Sequence, residues 1–249
     1  MTNIGVFDTG VGGLSVLSEI IKEKNANYFY LGDSKRAPYG PRDNEQIIKF
    51  ADQIVEFLEN YDIDQYIIAC NTISVLATDY LSEKYKKKFY PIPSFGVKEA
   101  LKNPGDYLVL GTEATVNSHY YKNSLEGLTD SKVFEVAAGN LVPLIEQGKL
   151  CGDEIDKNLK EYLSIANEKR IPNIILACTH YPLIKDAIKN NLIYEANIIN
   201  PATCLAGEIN FVESTDSNIN IFFTEINDST KMIIDKSIDS SYSLKLKEI

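Results

Sequence analysis

The sequence predicts an α/β fold of two similar lobes with mainly parallel sheets and an active site in the cleft between them. Short apolar runs, typical of buried strands, alternate along the chain with longer segments whose apolar residues recur at helical spacing. Such alternation favours parallel strands connected by helices. Two similar segments, each ending an apolar run in a cysteine, add the indication of an internal repeat.

The apolar runs predict nine strands. These lie at Asn3–Phe7, Tyr28–Leu31, Gln65–Cys70, Phe89–Ile92, Asp106–Gly111, Lys132–Val136, Asn173–Cys178, Asn197–Ile199 and Asn220–Thr224. Three of the intervening helices are marked by apolar residues at helical spacing, which are Leu14, Leu17, Ile20 and Ile21, then Ile47, Ala51, Ile54 and Leu58, then Ile155, Leu159, Leu163 and Ala166. Asp43, followed three positions later by Gln46, predicts a capping-box start for the second helix.

The internal repeat is weak, but its two copies place a cysteine among similar neighbouring residues. Segments 66–72 and 173–180 each place a cysteine at the end of an apolar strand, before polar residues and a helical pattern. No linker rich in Pro, Gly or Ser separates the two halves, so we expect closely packed lobes. The first lobe is predicted to span residues 1–96 completed by residues 207–249, and the second lobe to span residues 97–206.

The composition excludes several classes of protein. Apolar residues make up 44% and charged residues 24% of the 249 residues, which is a globular balance. The net charge of −10 leaves no broad basic surface for a nucleic-acid backbone. No apolar run approaches the roughly 18 residues that a membrane span needs. The first residues lack both a basic and an apolar signal region, so we expect a cytoplasmic protein without nucleic-acid or membrane partners.

The cysteine and glycine patterns indicate neither a metal nor a cofactor. The four cysteines form no C-x-x-C pair, and the two histidines supply no zinc-binding pattern, so no disulfide framework or metal site is expected. Gly10, Gly12 and Gly13 suggest a phosphate loop, but they complete neither a dinucleotide fingerprint nor a Walker pattern. The loop could still bind an anion through its backbone N–H groups.

Several polar side chains fall at the carboxyl ends of predicted strands, where open α/β sheets bind ligands. These are Asp8, Asp33, Cys70, Thr112 and Cys178, with His180 just beyond. If the two lobes face each other, all of them converge on one cleft. A thiol just before a helix N-terminus meets unpaired N–H groups, so we expect both thiols to have a lowered pKa. Asn71, Thr72 and Thr179 are predicted to cap the helices that follow.

Each of these residues also has a simpler interpretation. A free cysteine at a strand end is usually a small buried hydrophobe. Cys151 and Cys204 lack polar cap formers beside them and are interpreted as packing residues, whereas the matched contexts of Cys70 and Cys178 favour a functional pair. His180 could equally be an ordinary residue at a helix start, and the acidic residue that ends the first strand could cap the next turn. The unusual feature of this sequence is that two activated thiols are expected in one cleft.

Six motifs occur in a characteristic order along essentially the whole chain. They are 5–14, Gly32-Asp33 with 36–40, 69–72, Gly111-Thr112 with Thr115, 142–144 with Glu146, and 178–183. In these motifs the chain resembles the glutamate racemases of the cofactor-independent aspartate/glutamate racemase family. The chain departs from the usual family pattern at three places. It has Thr9 where that family usually has Ser, Ala138-Gly139 where the family has Cys-Pro, and a different sequence at 95–100. None of them touches a proposed catalytic position.

The resemblance implies racemisation of glutamate without a cofactor, which supplies D-glutamate for peptidoglycan and so for cell-wall biogenesis and cell shape. It implies that Cys70 and Cys178 are the acid/base pair on opposite faces of the substrate, with Asp8 and His180 as their respective helpers. The implied substrate-binding residues are Asp8, Thr9, Pro38, Tyr39, Gly40, Asn71, Thr72, Thr112, Thr115, Thr179 and His180. The oligomeric state is left open, a homodimer included.

The residues fit such chemistry without the resemblance. The α-hydrogen of an amino acid is barely acidic, so a site must stabilise the charge that develops on the carboxylate with preorganised donors. Threonine hydroxyls, an asparagine amide and helix N-terminal N–H groups supply them. Inversion needs one group to take a proton and another to deliver one from the opposite face, with helpers beside each.

Two alternatives remain open from the sequence. The first is a related racemase that acts on aspartate or another amino acid. The second belongs to a different class, a non-catalytic two-lobe protein that binds a small molecule or another protein. The missing signal region disfavours an extracytoplasmic solute binder, the matched cysteines disfavour inert thiols, and nothing in the sequence marks a protein-binding surface.

Overall fold

The computed structural model describes residues 2–249, which form ten strands and twelve α-helices. The strands are β1 (Asn3–Asp8), β2 (Asn27–Gly32), β3 (Gln65–Ile68), β4 (Lys88–Pro91), β5 (Tyr107–Gly111), β6 (Val133–Ala137), β7 (Asn173–Ala177), β8 (Asn197–Ile199), β9 (Asn218–Phe223) and β10 (Tyr242–Leu246). The helices are α1 (Leu14–Glu23), α2 (Asn44–Leu58), α3 (Asn71–Tyr85), α4 (Ile92–Ala100), α5 (Glu113–Asn117), α6 (Tyr120–Glu126), α7 (Leu141–Glu146), α8 (Asp153–Tyr162), α9 (Ser164–Lys169), α10 (Lys185–Asn190), α11 (Pro201–Glu208) and α12 (Asp228–Ser237). Short 3₁₀ helices lie at Ser34–Arg36, Glu59–Tyr61 and Tyr181–Ile184.

The strands form two sheets in which every pairing is parallel, and this confirms the predicted α/β architecture. The larger sheet has six strands in the order β10-β9-β2-β1-β3-β4, and the smaller has four in the order β6-β5-β7-β8. Parallel neighbours need long crossover connections, and helices supply them here. The chain enters the smaller sheet after β4 and returns to the larger one for β9 and β10.

Both faces of each sheet are covered, as parallel sheets require. On the larger sheet, α1, α11 and α12 pack against one face around Leu17 and Leu205, while α2 and α3 pack against the other around Ile54 and Ala77. The smaller sheet has α7, α8 and α10 on one side, with α4 and α6 around Tyr121 on the other. Most apolar runs of the sequence therefore become strands that are buried on two sides, whereas β6 and β8 are mostly half-buried or exposed.

The lobe limits predicted from the sequence stay a prediction. Strands of the larger sheet lie within residues 3–91 and 218–246, and strands of the smaller sheet lie within residues 107–199. Helix α11 lies between these ranges, and its Ala202 and Leu205 belong to the apolar cluster of the larger sheet. Helix α11 thus packs against the larger sheet, whereas the predicted limits assign residues 201–206 to the second lobe.

Two elements differ from the sequence prediction. Strand β10 is not among the nine predicted strands, because it lies at a sheet edge, alternates Ser and Lys with apolar residues, and is nowhere fully buried. The third predicted helix is interrupted at Leu163, whose backbone (φ −91°, ψ 2°) separates α8 from α9. Its predicted apolar face is nevertheless buried, since Ile155 and Leu163 are fully enclosed.

The predicted capping box of α2 is half formed. The Asp43 carboxylate accepts a hydrogen bond from the Gln46 backbone N–H at 2.8 Å, but the Gln46 side chain accepts from Arg42 instead of returning to Asp43. One side chain, that of Asp43, therefore caps the start of α2.

We predict that Asp43→Ala destabilises the protein by about 1 kcal/mol, because an N–H group at the start of α2 loses its acceptor. The measurement is the urea unfolding midpoint at neutral pH. Asp43→Asn is the matched control, since its side-chain oxygen can accept the same bond. Equal midpoints for Asp43→Ala and the unaltered protein would show that this cap contributes nothing.

Candidate active site

Cys70 lies between β3 and α3, at the N-cap position of the helix. Its Sγ accepts a hydrogen bond from the Ile73 backbone N–H at 3.5 Å. The prediction that Asn71 and Thr72 cap this helix is wrong, because both belong to its first turn and point elsewhere. Asn71 accepts from the Tyr121 hydroxyl at 2.8 Å, and the Thr72 hydroxyl lies 2.8 Å from that of Thr112.

Cys178 follows β7 in the same way, but its surroundings are different. Its Sγ lies 3.6 Å from Nδ1 of His180, which precedes the 3₁₀ helix Tyr181–Ile184. The predicted capping role of Thr179 is wrong, because its hydroxyl donates to the Asp8 carboxylate at 2.9 Å. The second thiol therefore has an imidazole as its direct neighbour.

Glu146 is a site residue that the sequence prediction did not assign. One of its carboxylate oxygens, Oε1, lies 2.6 Å from His180 Nε2 and also accepts the Val11 backbone N–H at 3.1 Å. Its motif was visible in the sequence, but only the fold brings α7 against His180. Burial opposes protonation of the imidazole, yet its contacts with Cys178 and Glu146 outweigh that effect and raise the pKa of His180 well above its usual range.

Asp8 ends β1 and is fully buried. Its carboxylate accepts hydrogen bonds from the Gly10 backbone N–H at 3.0 Å and from the Thr179 hydroxyl. Burial raises the pKa of Asp8, and the charge of His180 together with these two bonds offsets part of that rise. Within residues 2–249 no hydrogen bond joins Asp8 to Cys70, so its influence on that thiol is electrostatic.

The expected lowering of the Cys70 pKa is wrong. Burial raises the pKa of the Cys70 thiol well above its usual range, and the negative charge of Asp8 raises it further. The backbone N–H groups of Ile73 and Thr72 act in the opposite direction, as the helix-start argument requires, but they do not prevail. Burial beside a carboxylate thus outweighs the helix N-terminus at this position.

Both thiols line one cavity of about 190 Å³ at the carboxyl ends of β1, β3, β5 and β7. This volume is below the range of about 300–1,000 Å³ for drug-sized ligands, so the cavity suits a small molecule. Of the predicted residues it is lined by Thr9, Pro38, Tyr39, Gly40, Cys70, Asn71, Thr72, Thr112, Cys178, Thr179 and His180. Asp8 lies behind Thr179, and Thr115 lies behind Thr112, to whose hydroxyl its own is 3.1 Å distant.

The cavity wall has further residues that were not predicted. They are Pro41, Glu113, Gly139, Asn140, Val142, Pro143 and Ala177. A Cβ at Gly139 would approach the Glu113 carboxylate within 2.3 Å. The only signal for this part of the wall was the motif 142–144, which follows Gly139 closely.

The wall offers hydroxyl, amide and backbone groups, together with the two thiols, His180 and Glu113. Within residues 2–249 no lysine or arginine lines the cavity. Arg36, two positions before the lining residue Pro38, contacts Asp33 at 2.5 Å and Gln53 at 2.6 Å and stacks on Phe50. Asp33 also accepts from the Tyr39 hydroxyl, so this buried cluster holds the loop that lines the cavity.

The remaining cysteines lie outside the cavity. Cys151 is exposed, and Cys204 is buried beside Glu208. Over residues 2–249 no group of three or more His, Cys, Asp or Glu side chains is arranged to hold a metal ion. Across the same range, none of the helices combines the length and apolarity that crossing a bilayer would take.

Fold and site together define a class of protein, a two-lobed α/β protein with two thiols in one small cavity. A family model described as Asp/Glu/Hydantoin racemase matches residues 4–209. A glutamate racemase of Persephonella marina is 35% identical, covering 99% of this chain and 97% of the relative, and one of Aquifex pyrophilus is 36% identical, covering 98% and 97%. The chain belongs to the Asp/Glu/hydantoin racemase family.

Solved structures agree with this assignment. The glutamate racemase of Francisella tularensis in complex with D-glutamate matches with a TM-score of 0.87 and 30% identity, covering 99% of this chain and 97% of that one. The glutamate racemase of Aquifex pyrophilus matches with a TM-score of 0.82 and 34% identity, covering 98% of both chains. The family likeness therefore extends over both sheets.

We predict that Asp8→Asn lowers the pH at which Cys70 becomes reactive, because removing a neighbouring negative charge favours the thiolate. The unaltered protein should react with iodoacetamide at Cys70 only above the usual thiol pKa of about 8.5. The measurement is Cys70 alkylation against pH, followed by peptide mass spectrometry, with exposed Cys151 as the internal reference. A midpoint that stays in place or rises in Asp8→Asn would contradict the electrostatic role of Asp8.

Proposed function

We propose that this chain interconverts L- and D-glutamate with its own two thiols and no cofactor. The observation that carries the proposal is the pair Cys70 and Cys178 on one cavity, each at the end of a parallel strand and each with a different partner. The relatives from Persephonella marina and Aquifex pyrophilus are glutamate racemases, which supports glutamate as the substrate. The product D-glutamate would serve peptidoglycan synthesis.

The reaction inverts one carbon by moving two protons. One thiolate removes the α-hydrogen from one face, and the opposite thiol donates its proton to the other face. By family resemblance, Cys178 takes the proton from L-glutamate and Cys70 takes it from D-glutamate. His180 Nδ1 lies 3.6 Å from Cys178 Sγ and assists this thiol by direct contact. Asp8 does not contact Cys70, and its negative charge raises the pKa of that thiol.

The hydroxyl groups of the wall stabilise the charge that develops on the substrate carboxylate. The Thr72 and Thr112 hydroxyls lie 2.8 Å apart and face one cavity from the two lobes. Donors that are fixed before the reaction need no reorganisation when the charge appears. The oligomeric state stays open, and the predicted cytoplasmic location stays a prediction.

In D₂O, each inverted glutamate molecule should carry deuterium at its α-carbon, because the delivered proton comes from a thiol that exchanges with solvent. The measurement is mass spectrometry of the separated enantiomers at low conversion. Cys70→Ala and Cys178→Ala should each abolish inversion, whereas Cys204→Ala, which alters a buried cysteine outside the cavity, should remain active. Original hydrogen in the inverted product, or turnover by either cavity variant, would contradict the proposal.

Thr72→Val should lower kcat for glutamate by about 10²–10³-fold, because the site loses a donor aimed at the developing charge. Arg36→Lys should have a small effect, because Arg36 contacts Asp33, Gln53 and Phe50 and does not line the cavity. Steady-state kinetics in both directions make the comparison. A larger loss for Arg36→Lys than for Thr72→Val would refute binding through hydroxyl groups.

A further inference from the structure

A second cavity of about 390 Å³ adjoins the cavity that holds the thiols. It is lined by Ser34, Ala37, Pro38, Val142, Pro143, Glu146, Gln147, Glu225, Asn227, Ser229 and Thr230. Several of these residues, Gln147, Glu225 and Asn227 among them, are exposed. The second cavity is therefore in contact with solvent.

The wall between the two cavities is apolar. Pro38, Val142 and Pro143 face both cavities. None of the three carries a side-chain group that can move a proton. Across the described chain, the hydrogen bond of 2.6 Å between His180 Nε2 and Glu146 Oε1 joins a residue of the first cavity to a residue of the second.

Glu146 is held in place and yet reaches solvent. The Val11 backbone N–H fixes Oε1, and Gly10 leaves room for it, because a Cβ there would lie 2.1 Å from the same oxygen. The Glu146 side chain is 21% exposed, whereas that of His180 is 3% exposed. The pair therefore connects an enclosed thiol to a carboxylate in contact with water.

We propose that Cys178 exchanges its proton with solvent through His180 and Glu146 into the second cavity. This inference rests on the proposed racemase reaction, in which each turnover leaves one thiol protonated and the other as a thiolate. Before the same enantiomer can react again, both thiols must return to their starting states. The route allows Cys178 to do so whatever occupies the substrate cavity.

The transfer takes three proton movements and no change in oxidation state. Once Cys178 carries a proton, the thiolate charge that raises the pKa of His180 is gone, and His180 starts the transfer neutral with its proton on Nε2. The Sγ–H proton of Cys178 passes to His180 Nδ1 and leaves a thiolate. The Nε2 proton of His180 passes to Glu146 Oε1, so the imidazole is neutral again but carries its proton on Nδ1, and the Nε2–H form must be restored before Cys178 can release its next proton. The Glu146 carboxyl then releases its proton to water in the second cavity, and the net result is one proton moved from thiol to solvent.

Cys70 has no corresponding route in the part of the chain that the structure describes. Asp8 is fully buried, and its hydrogen bonds go to Thr9, Gly10 and Thr179, none of which lines the second cavity. Cys70 must therefore exchange its proton through the substrate cavity. The two thiols differ in how they are reset, although they act alike on the substrate.

Glu146→Gln tests the route, because an amide can still accept a hydrogen bond from His180 but cannot take up and release its proton. We expect kcat at saturating glutamate to fall by about 10²-fold, the lower end for loss of a positioned proton-transfer group. We expect kcat/KM to fall much less. Adding imidazole buffer at constant ionic strength should restore part of kcat, since a small base can replace the lost carboxylate.

Two control variants separate the route from general damage. Glu225→Gln removes the other carboxylate of the same cavity, which does not contact His180, and should leave kcat unchanged. Ser229→Phe fills the second cavity without touching His180 and should lower kcat as Glu146→Gln does. Equal losses of kcat and kcat/KM in Glu146→Gln that imidazole does not relieve would overturn the route, and so would an unaffected kcat in either Glu146→Gln or Ser229→Phe. If the unaltered protein does not racemise glutamate, the proposed function fails instead.

Discussion

The hydrogen bond from the Thr179 hydroxyl to the Asp8 carboxylate joins the two lobes at the base of the cleft. Asp8 is fully buried at the end of β1, so its carboxylate must find partners inside the protein. A hydrogen bond to a charged group contributes about 1.5–3 kcal/mol, and this one also fixes the position of the residue that follows Cys178. The contact therefore ties the end of β1 to the residue that follows Cys178.

The glycines after β1 allow this close approach of the lobes. A Cβ at Gly12 would lie 2.5 Å from Nδ1 of His180, and a Cβ at Gly10 would collide with Glu146. The segment that resembles an incomplete phosphate loop thus leaves space for the partners of Cys178. Burial beside Asp8 raises the pKa of Cys70, whereas Cys178 contacts an imidazole that is held by a carboxylate, so similar positions acquire different chemistry.

The sequence predicted the parts of this structure that depend on local pattern. Apolar runs marked the buried strands, and the two cysteines at strand ends marked the cavity. It failed where packing decides the outcome. The edge strand β10 has no continuous apolar run, and Leu163 interrupts a helix while keeping its buried face. Glu146 could not be assigned because its contact with His180 spans 34 positions along the chain.

The direction of the Cys70 pKa shift is a further property that packing decides and that the sequence did not predict. A helix N-terminus can be predicted from sequence, and its N–H groups do lower the pKa of this thiol. The burial of Cys70 and its nearness to Asp8 follow from the packing of β1 beside β3, which no local pattern reveals. Thr9 places a hydroxyl on the cavity wall.

Optical rotation tests the central claim, that the two thiols of one cavity invert the α-carbon of glutamate, most directly. Purified protein is incubated separately with L-glutamate and with D-glutamate, without any added cofactor, and the rotation of each solution is followed over time. We predict that both solutions lose their rotation and reach the same value of zero. A solution of either enantiomer that keeps its rotation, while the protein remains folded, would contradict the account.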